Sequence, residues 1–128
     1  MKSSLRWRIL IPCAVFALLG AADTPKRTPP TVAPVVSDGV RYTAEGDGKD
    51  QFVVASDARS GQVQWEAKIF HTDVKFWKHD EEKQWVFITN LKLVKNSIFV
   101  KDEKSRCYAL DITSKRVKKQ KCGDTFKP

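Results

Sequence analysis

Apolar and polar residues alternate along much of the chain, and a period of two is typical of half-buried β-strands. The clearest alternation runs through residues 62–69. Four apolar side chains fall on one face of this stretch: Val63, Trp65, Ala67 and Ile69. Polar residues occupy the positions between them, so the pattern predicts a strand with one face toward a core.

Further strands are predicted where β-branched and aromatic residues follow one another between turn residues. These stretches are Val40–Ala44, Gln51–Ser56, Trp85–Leu93, Ser97–Lys101 and Arg106–Leu110. Polar and glycine-containing turns separate them. We therefore predict an all-β fold, an antiparallel meander of about six or seven strands that forms a small sheet, a sandwich or a barrel.

The segment Thr72–Gln84 breaks the strand pattern, because it places aromatic residues beside a charged run at 78–83. A helical turn could begin at Thr72, but acidic residues would then lie near its C-terminal end, where they oppose the helix dipole. We expect a long connection with at most one helical turn. Its aromatic residues either plug an open end of the core or lie exposed.

Two-residue turns at 95–96 and 103–104 would set the register of the last strands. One face would then hold four cross-strand pairs: Leu93 with Ile98, Leu91 with Val100, Val100 with Cys107, and Ile98 with Ala109. The opposite face is also largely apolar and receives Val86, Ile88, Phe99, Tyr108 and Leu110. Both faces need cover, either from a second layer of the same chain or from a partner protein.

The first 22 residues have the three parts of a secretory signal peptide. Basic residues at positions 2, 6 and 8 precede an apolar run from 9 to 19, and small residues at 20–22 supply a cleavage site. The apolar run is too short to span a bilayer. We expect a secreted or periplasmic protein with no transmembrane segment after cleavage. An uncleaved membrane anchor is the alternative.

Cleavage of residues 1–22 would remove Cys13 and three basic residues, so the formal net charge would fall from +8 to +5 and two cysteines would remain. In an exported protein these two, Cys107 and Cys122, are expected to form a disulfide. Residues 23–38 are rich in proline, which cannot feed a sheet ladder, and are predicted to be a flexible linker. Residues 39–128 would form a single β domain.

The stretch 55–65, Ala-Ser-Asp-Ala-Arg-Ser-Gly-Gln-Val-Gln-Trp, resembles the blade hairpin of the PQQ-type β-propeller repeat family, whose repeats carry Ala-x-Asp, Gly and Trp at this spacing. Residues 108–117 resemble a second copy that lacks the Gly and the Trp. The resemblance implies the same hairpin geometry at both places. A propeller needs at least about four blades, and this chain has room for about two. The family's quinone-binding residues have no counterpart here, so no cofactor is expected.

Two features are candidates for binding. The C-terminal stretch is basic and contains Lys115, Arg116, Lys118, Lys119 and Lys121. Such a cluster either binds phosphate, anionic lipid or acidic glycan, or guards an edge strand against aggregation. Phe76 and Trp77 in the 72–84 connection are the candidate aromatic contacts. No nucleic-acid-binding motif accompanies the basic residues, so nucleic acid is not an expected partner.

Catalysis could rest only on the two histidines. His71 and His79, with Asp73 and the acidic residues at 80–82, are the weak candidates for acid–base chemistry or metal binding. The sequence has no third ligand at a typical spacing, no nucleophile motif and no phosphate loop. Exposed, solvated side chains are the simpler interpretation, so we expect neither an enzyme nor a bound metal.

These observations favour a non-enzymatic binding or interaction module whose partner is a protein or an anionic envelope component. Two other classes stay open: a small secreted hydrolase that uses His71 and His79, and a purely structural scaffold. The sequence does not determine the oligomeric state.

Overall fold

The computed structural model describes residues 27–78 and 80–126. This part of the chain contains eight strands and one helical turn, so the predicted all-β class is confirmed. The strands are β1 (Val35–Ser37), β2 (Val40–Gly46), β3 (Asp50–Asp57), β4 (Val63–His71), β5 (Ile88–Val94), β6 (Ser97–Asp102), β7 (Cys107–Asp111) and β8 (Val117–Gln120), and the helix is α1 (Glu81–Gln84). The predicted signal peptide, Cys13, the first part of the predicted linker and His79 lie outside the described residues.

The strands form two four-stranded antiparallel sheets, each a simple meander. The first has the order β1-β2-β3-β4 and the second β5-β6-β7-β8. The sheets contact each other where β1 and β2 approach β5. On the other side, Phe70 of β4 stacks on Tyr108 of β7 with ring centroids 5.3 Å apart. The result is a small sandwich-like domain in which each half of the described chain supplies one layer.

One strand, β1, was not predicted, whereas β8 is the edge strand that was one of the two interpretations of the basic stretch. β1 lies within the proline-rich segment that was assigned to a linker, and Val35 pairs with Tyr42 of β2. β1 begins directly after Pro34, so its backbone N–H groups are free to join a ladder. β8 carries the lysines of the basic stretch, whose strand propensity is low, and it is ordered by pairing with β7.

Arg27 fastens the segment before β1 to the domain. Its Nη1 donates a hydrogen bond to the carbonyl oxygen of Trp85 at 2.8 Å, and its Nη2 pairs with Glu103. The guanidinium carbon also lies 5.0 Å from the centre of the Phe87 ring, a cation–π distance. The chain therefore joins the domain next to Trp85 and Glu103, ahead of the first strand.

The core lies between the two sheets and is built from both. Its fully buried members include Val53, Ala55, Ile88, Ile98, Val100 and Leu110. One polar side chain, Gln51, is 2% exposed, and its Oε1 accepts a hydrogen bond from the backbone N–H of Ile88 at 3.1 Å. Because a buried amide without a partner is costly, this bond also fixes how the first sheet meets the second.

The two sheets repeat one tight turn. In each turn an aspartate Oδ1 accepts hydrogen bonds from the backbone N–H groups two and three residues later, at 2.8–2.9 Å; the aspartates are Asp57 and Asp111. The residue four positions later, Gly61 or Lys115, donates its N–H to the aspartate carbonyl at 2.8 Å. Its φ is positive in both turns, 77° and 62°. The same hairpin therefore occurs once in each sheet.

The predicted register of the second sheet is right for one hairpin and wrong for the next. The β5–β6 pairs are as predicted, Leu93 with Ile98 and Leu91 with Val100. Between β6 and β7 the loop has four residues rather than two, and the observed pairs are Val100 with Tyr108 and Ile98 with Leu110. A shift of one residue exchanges the faces of a strand, so Tyr108 and Leu110 enter the core face in place of Cys107 and Ala109.

Asp102 explains the longer loop. Its Oδ1 accepts hydrogen bonds from the backbone N–H groups of Lys104 and Arg106, at 2.8 and 3.0 Å. Its Oδ2 accepts one from Arg106 Nε at 2.8 Å and one from the Tyr108 hydroxyl at 3.1 Å. The side chain is buried, and these four bonds satisfy it only if the chain turns through all four loop residues.

A bulge in β4 corrects the predicted face of that strand. Ala55 faces Trp65, but the next residue, Ser56, faces Val63, so Gln64 is an extra residue in the ladder. Trp65 stays on the core side, whereas Val63 is 57% exposed. The prediction that all four apolar residues share one face is therefore wrong at Val63. Bulges of this kind are a common device on edge strands, where they discourage pairing with another chain.

The predicted disulfide joins Cys107 of β7 to Cys122, which follows β8, with a Cα–Cα distance of 5.1 Å. Cys107 is buried in the sheet. Beyond the bridge, Lys92 Nζ donates a hydrogen bond to the carbonyl oxygen of Thr125 at 2.9 Å. The bridge and this bond hold the C-terminal segment on the second sheet.

Candidate binding surface

The connection from β4 to β5 begins and ends on the turn between β2 and β3. The N–H of Thr72 donates to the carbonyl oxygen of Lys49 at 2.7 Å, and the N–H of Val86 donates to that of Gly48 at 3.0 Å. We call this end of the molecule, residues 47–50 and 72–86, the tip end. The turns that follow β1, β3, β5 and β7 lie at the opposite end.

Gly48 allows the connection to pack closely on the β2–β3 turn. Its φ is 92°, a conformation that favours glycine. A Cβ atom at this position would lie 2.6 Å from Cγ of Trp85, which is shorter than any ordinary contact. The absence of a side chain therefore lets the indole of Trp85 cover the turn and close the base of the connection.

Phe76 and Trp77 are the most exposed aromatic side chains of the described chain, with 86% and 66% of their surface accessible. Their ring centroids are 5.2 Å apart in an edge-to-face arrangement. Lys75 Nζ lies 5.6 Å from the centre of the Trp77 ring. We call residues 75–78 the aromatic tip. Of the two positions expected for these aromatic residues, the structure has the exposed one, and adjacent exposed rings are typical of contact surfaces.

The side-chain amide of Gln84 binds the backbone of Lys75 and so anchors the aromatic tip. The Lys75 N–H donates to Gln84 Oε1 at 2.8 Å, and Gln84 Nε2 donates to the Lys75 carbonyl oxygen at 3.2 Å. The Lys78 N–H donates to the same carbonyl at 3.2 Å and closes a turn around the two rings. A side-chain amide that satisfies both backbone groups of one residue acts like a strand partner, so Phe76 and Trp77 stand out from an anchored turn.

Two of the acidic residues beside the tip form ion pairs with lysines. Lys49 lies 3.0 Å from Glu81, and that hydrogen bond raises the pKa of Lys49 above its ordinary value. Lys83 lies 3.2 Å from Asp80. Glu81 and Lys83 belong to α1, so the connection has no more than the one helical turn expected for it, but this turn begins at Glu81 rather than at Thr72. Within residues 27–78 and 80–126, neither lysine of the aromatic tip forms an ion pair.

His71 lies between two carboxylates at the base of the connection. Its Nδ1 is 2.7 Å from Asp50 Oδ1, and its Nε2 is 3.2 Å from Asp73 Oδ1. The hydrogen bond with Asp50 is the main reason that the pKa of His71 is raised above its ordinary value. Lys68 Nζ lies 3.4 Å from the same Asp50 oxygen. Both ring nitrogens thus face a carboxylate, an arrangement that suits a protonated imidazolium.

The weak metal candidates do not form a metal-binding group in the described chain. His71 and Asp73 touch each other, but Asp50 lies on the opposite ring nitrogen, and His79 is outside the described residues. Within 27–78 and 80–126, no group of three or more His, Cys, Asp or Glu side chains is arranged to hold a metal ion.

The five basic candidates divide into two kinds. Lys115 Nζ lies 5.0 Å from the centre of the Trp65 ring, so its ammonium group forms a cation–π contact between the two sheets. The other four are exposed on β8 or beside it: Arg116, Lys118, Lys119 and Lys121. We call these four the basic edge, because β8 is the last strand of the second sheet. Among the described residues, no hydrogen bond, ion pair or ring contact joins the basic edge to the aromatic tip.

The sequence interpretation overlooked the residues that present the tip. Lys75 and Lys78 flank the two aromatic residues, and that pattern was visible in the sequence. Gln84 and Lys49 were not identifiable, because each acts on a residue that is distant in the chain. Arg27 was overlooked for the same reason, since its partner Glu103 lies 76 residues away.

Comparison with models of known protein families gives no match, and comparison with curated proteins gives none either. Among the described residues there is no helix of the length and apolar character that crossing a membrane requires.

Proposed function

We propose that this domain is a non-enzymatic binding module of the cell envelope or the extracellular space. It presents the aromatic tip and the basic edge to a protein or to an anionic envelope component. The proposal rests on one observation: Phe76 and Trp77 are exposed on a turn whose backbone is hydrogen-bonded to the side chain of Gln84.

The energetics favour contact through the tip. Burying one large aromatic side chain contributes about 1.5–3 kcal/mol, and aromatic residues are enriched among those that dominate binding energy. A turn that is already fixed loses little conformational entropy on binding. The basic edge adds long-range attraction for an anionic partner, which raises the association rate more than the affinity.

The disulfide is consistent with an exported module. Disulfides persist in the periplasm and outside the cell and are rare in the reducing cytosol. The predicted signal peptide and the Cys107–Cys122 bridge therefore support the same compartment. A binding site in that compartment faces proteins, glycans and membrane surfaces of the envelope.

Site-specific photo-crosslinking in cells tests the proposal. A photoreactive phenylalanine analogue replaces Phe76 in the full chain, and a matched analogue replaces Val63, which is also exposed but lies at the opposite end of β4. We expect adducts from position 76 and few from position 63. Equal labelling from the two positions, or none from either, would contradict a binding surface at the tip and favour a structural scaffold.

A further inference from the structure

The chain enters the domain at the tip end. Arg27 is bound to the carbonyl oxygen of Trp85, which directly follows α1, and to Glu103, whose N–H donates to the carbonyl oxygen of Phe87 at 3.0 Å. Trp85 in turn covers Gly48 at the base of the connection. The first described residue of the chain and the aromatic tip therefore lie at the same end of the molecule.

The sequence before Arg27 contains the only stretch of the chain that is predicted to meet a membrane. The apolar run at 9–19 follows basic residues, as in signal peptides and membrane anchors. Because the described chain begins at the tip end, an uncleaved membrane anchor in residues 1–22, the alternative to a cleaved signal peptide, would attach the bilayer on the side of that end.

The aromatic tip combines the residue types that are common at membrane interfaces, namely Trp, Phe and Lys. Trp and Phe place an apolar ring among lipid headgroups and acyl chains, and indole is enriched at that depth. Lysines extend their ammonium groups toward phosphates from such positions. Three of the neighbouring carboxylates are paired, Glu81 with Lys49, Asp80 with Lys83 and Asp73 with His71. Glu82 has no ion pair among the described residues, and Lys75 and Lys78 are the cations that lie directly beside the two rings.

We propose that the aromatic tip inserts Phe76 and Trp77 into the headgroup region of an anionic bilayer, with Lys75 and Lys78 on lipid phosphates. This inference rests on the proposed function and names the partner of the tip as a lipid surface. Two rings and two lysines give reversible attachment, because a shallow insertion buries far less apolar surface than a spanning helix does.

Vesicle binding tests the inference. The protein, expressed from its full sequence and purified after export, is sedimented with vesicles of phosphatidylglycerol mixed with phosphatidylcholine and with vesicles of phosphatidylcholine alone. We expect binding to the anionic vesicles and quenching of Trp77 by lipids brominated in the upper acyl chain. Phe76→Ser combined with Trp77→Ser is expected to lower the partition coefficient by about tenfold or more.

Three variants serve as controls. Val36→Ser with Val63→Ser removes two exposed apolar side chains outside the tip and is expected to bind like the wild type. Trp77→Phe keeps an apolar ring and is expected to bind while losing the quenching signal. Lys75→Gln with Lys78→Gln is expected to weaken binding only to the anionic vesicles.

Two results would overturn the inference. One is wild-type binding by the variant without the two rings; the other is binding that disappears only when Lys118, Lys119 and Lys121 are replaced by Gln, which would assign the lipid contact to the basic edge. If vesicles do not bind while position 76 crosslinks to a protein in cells, the lipid partner is wrong and the binding module stands. If both experiments are negative, both proposals fail.

Discussion

The hydroxyl of Tyr108 donates a hydrogen bond to Oδ2 of Asp102 at 3.1 Å, and both side chains are buried between the sheets. The same carboxylate holds the loop that places Tyr108, rather than Cys107, on the core face. Burial, with Asp102 as the second cause, raises the pKa of Tyr108 to about 12. One acidic residue thus sets both the register of β7 and the ionisation of the tyrosine beside it.

Replacing Asp102 should destabilise the domain through this network. Asp102→Ala leaves buried donors without an acceptor, and we expect a loss of about 3 kcal/mol in the free energy of unfolding. Asp102→Asn keeps an acceptor for the backbone and should cost less. It also removes the charge near Tyr108, so the pKa of Tyr108 should fall from about 12 toward its ordinary value of 10.0 while staying above it because of burial.

Chemical denaturation and an ultraviolet titration of the tyrosines measure the two effects. Tyr42 is the internal control, because burial is also the main cause of its raised pKa but Asp38 rather than Asp102 is the charged neighbour. An Asp102→Ala variant as stable as the wild type would contradict the role of this carboxylate in the loop.

The repeated turns allow a matched test at Gly61 and Lys115. Both residues have positive φ, where a Cβ costs about 1 kcal/mol. Replacing Lys115 by Ala removes the contact with Trp65 and keeps the strain, whereas replacing it by Gly removes both. We therefore expect the Ala form to be less stable than the Gly form by about 1 kcal/mol at either position.

Thermal unfolding of the wild type, Gly61→Ala, Lys115→Ala and Lys115→Gly gives the two differences. A difference at 61 with none at 115 would show that the second turn is not equivalent to the first.

Removing the disulfide should destabilise the fold without abolishing the sheets. The bridge closes a loop between residues that are 15 apart in sequence, for which chain entropy predicts about 3 kcal/mol. Cys107→Ala with Cys122→Ala is preferable to serine, because Cys107 is buried. Urea denaturation of this variant and of the reduced wild type should give the same loss. Free thiols in the exported protein would contradict the bridge.

The base of the connection should respond to pH through His71. The folded pKa of His71 is raised above its ordinary value of 6.5, chiefly by the hydrogen bond with Asp50. Its contribution to stability is therefore fully present below the unfolded pKa and is lost as the pH rises through the folded pKa. We expect the protection factors of the backbone amides of residues 72–78, which compare each exchange rate with the intrinsic rate at the same pH, to be lower above that titration than below it.

The control is His71→Gln, in which the protection factors of the connection should not change across this titration. Nuclear magnetic resonance titration of the His71 ring measures the folded pKa directly. A pKa at or below 6.5 would mean that the two carboxylates do not hold the ring.

Much of the fold was predictable because alternation with a period of two depends only on neighbouring residues. The strands over 51–56 and 97–101 and the first cross-strand pairs came from that pattern and from a two-residue turn. β1 was not predictable, since its proline-rich surroundings indicate an extended linker and its order comes from pairing with β2. The exposed position of Val63 was hidden as well, because a bulge depends on the partner strand rather than on local sequence.

At the candidate site, three features were readable from the order of the residues alone: an aromatic pair beside lysines, a basic C-terminal stretch and two cysteines able to pair. The contacts that individual side chains make became visible only in the folded structure. Lys115 lies over the ring of Trp65, and Gln84 binds the backbone of Lys75. Arg27 forms an ion pair with Glu103. The physical reason is that strand period and turn chemistry are local, whereas these contacts join residues that meet only after the two sheets have packed together.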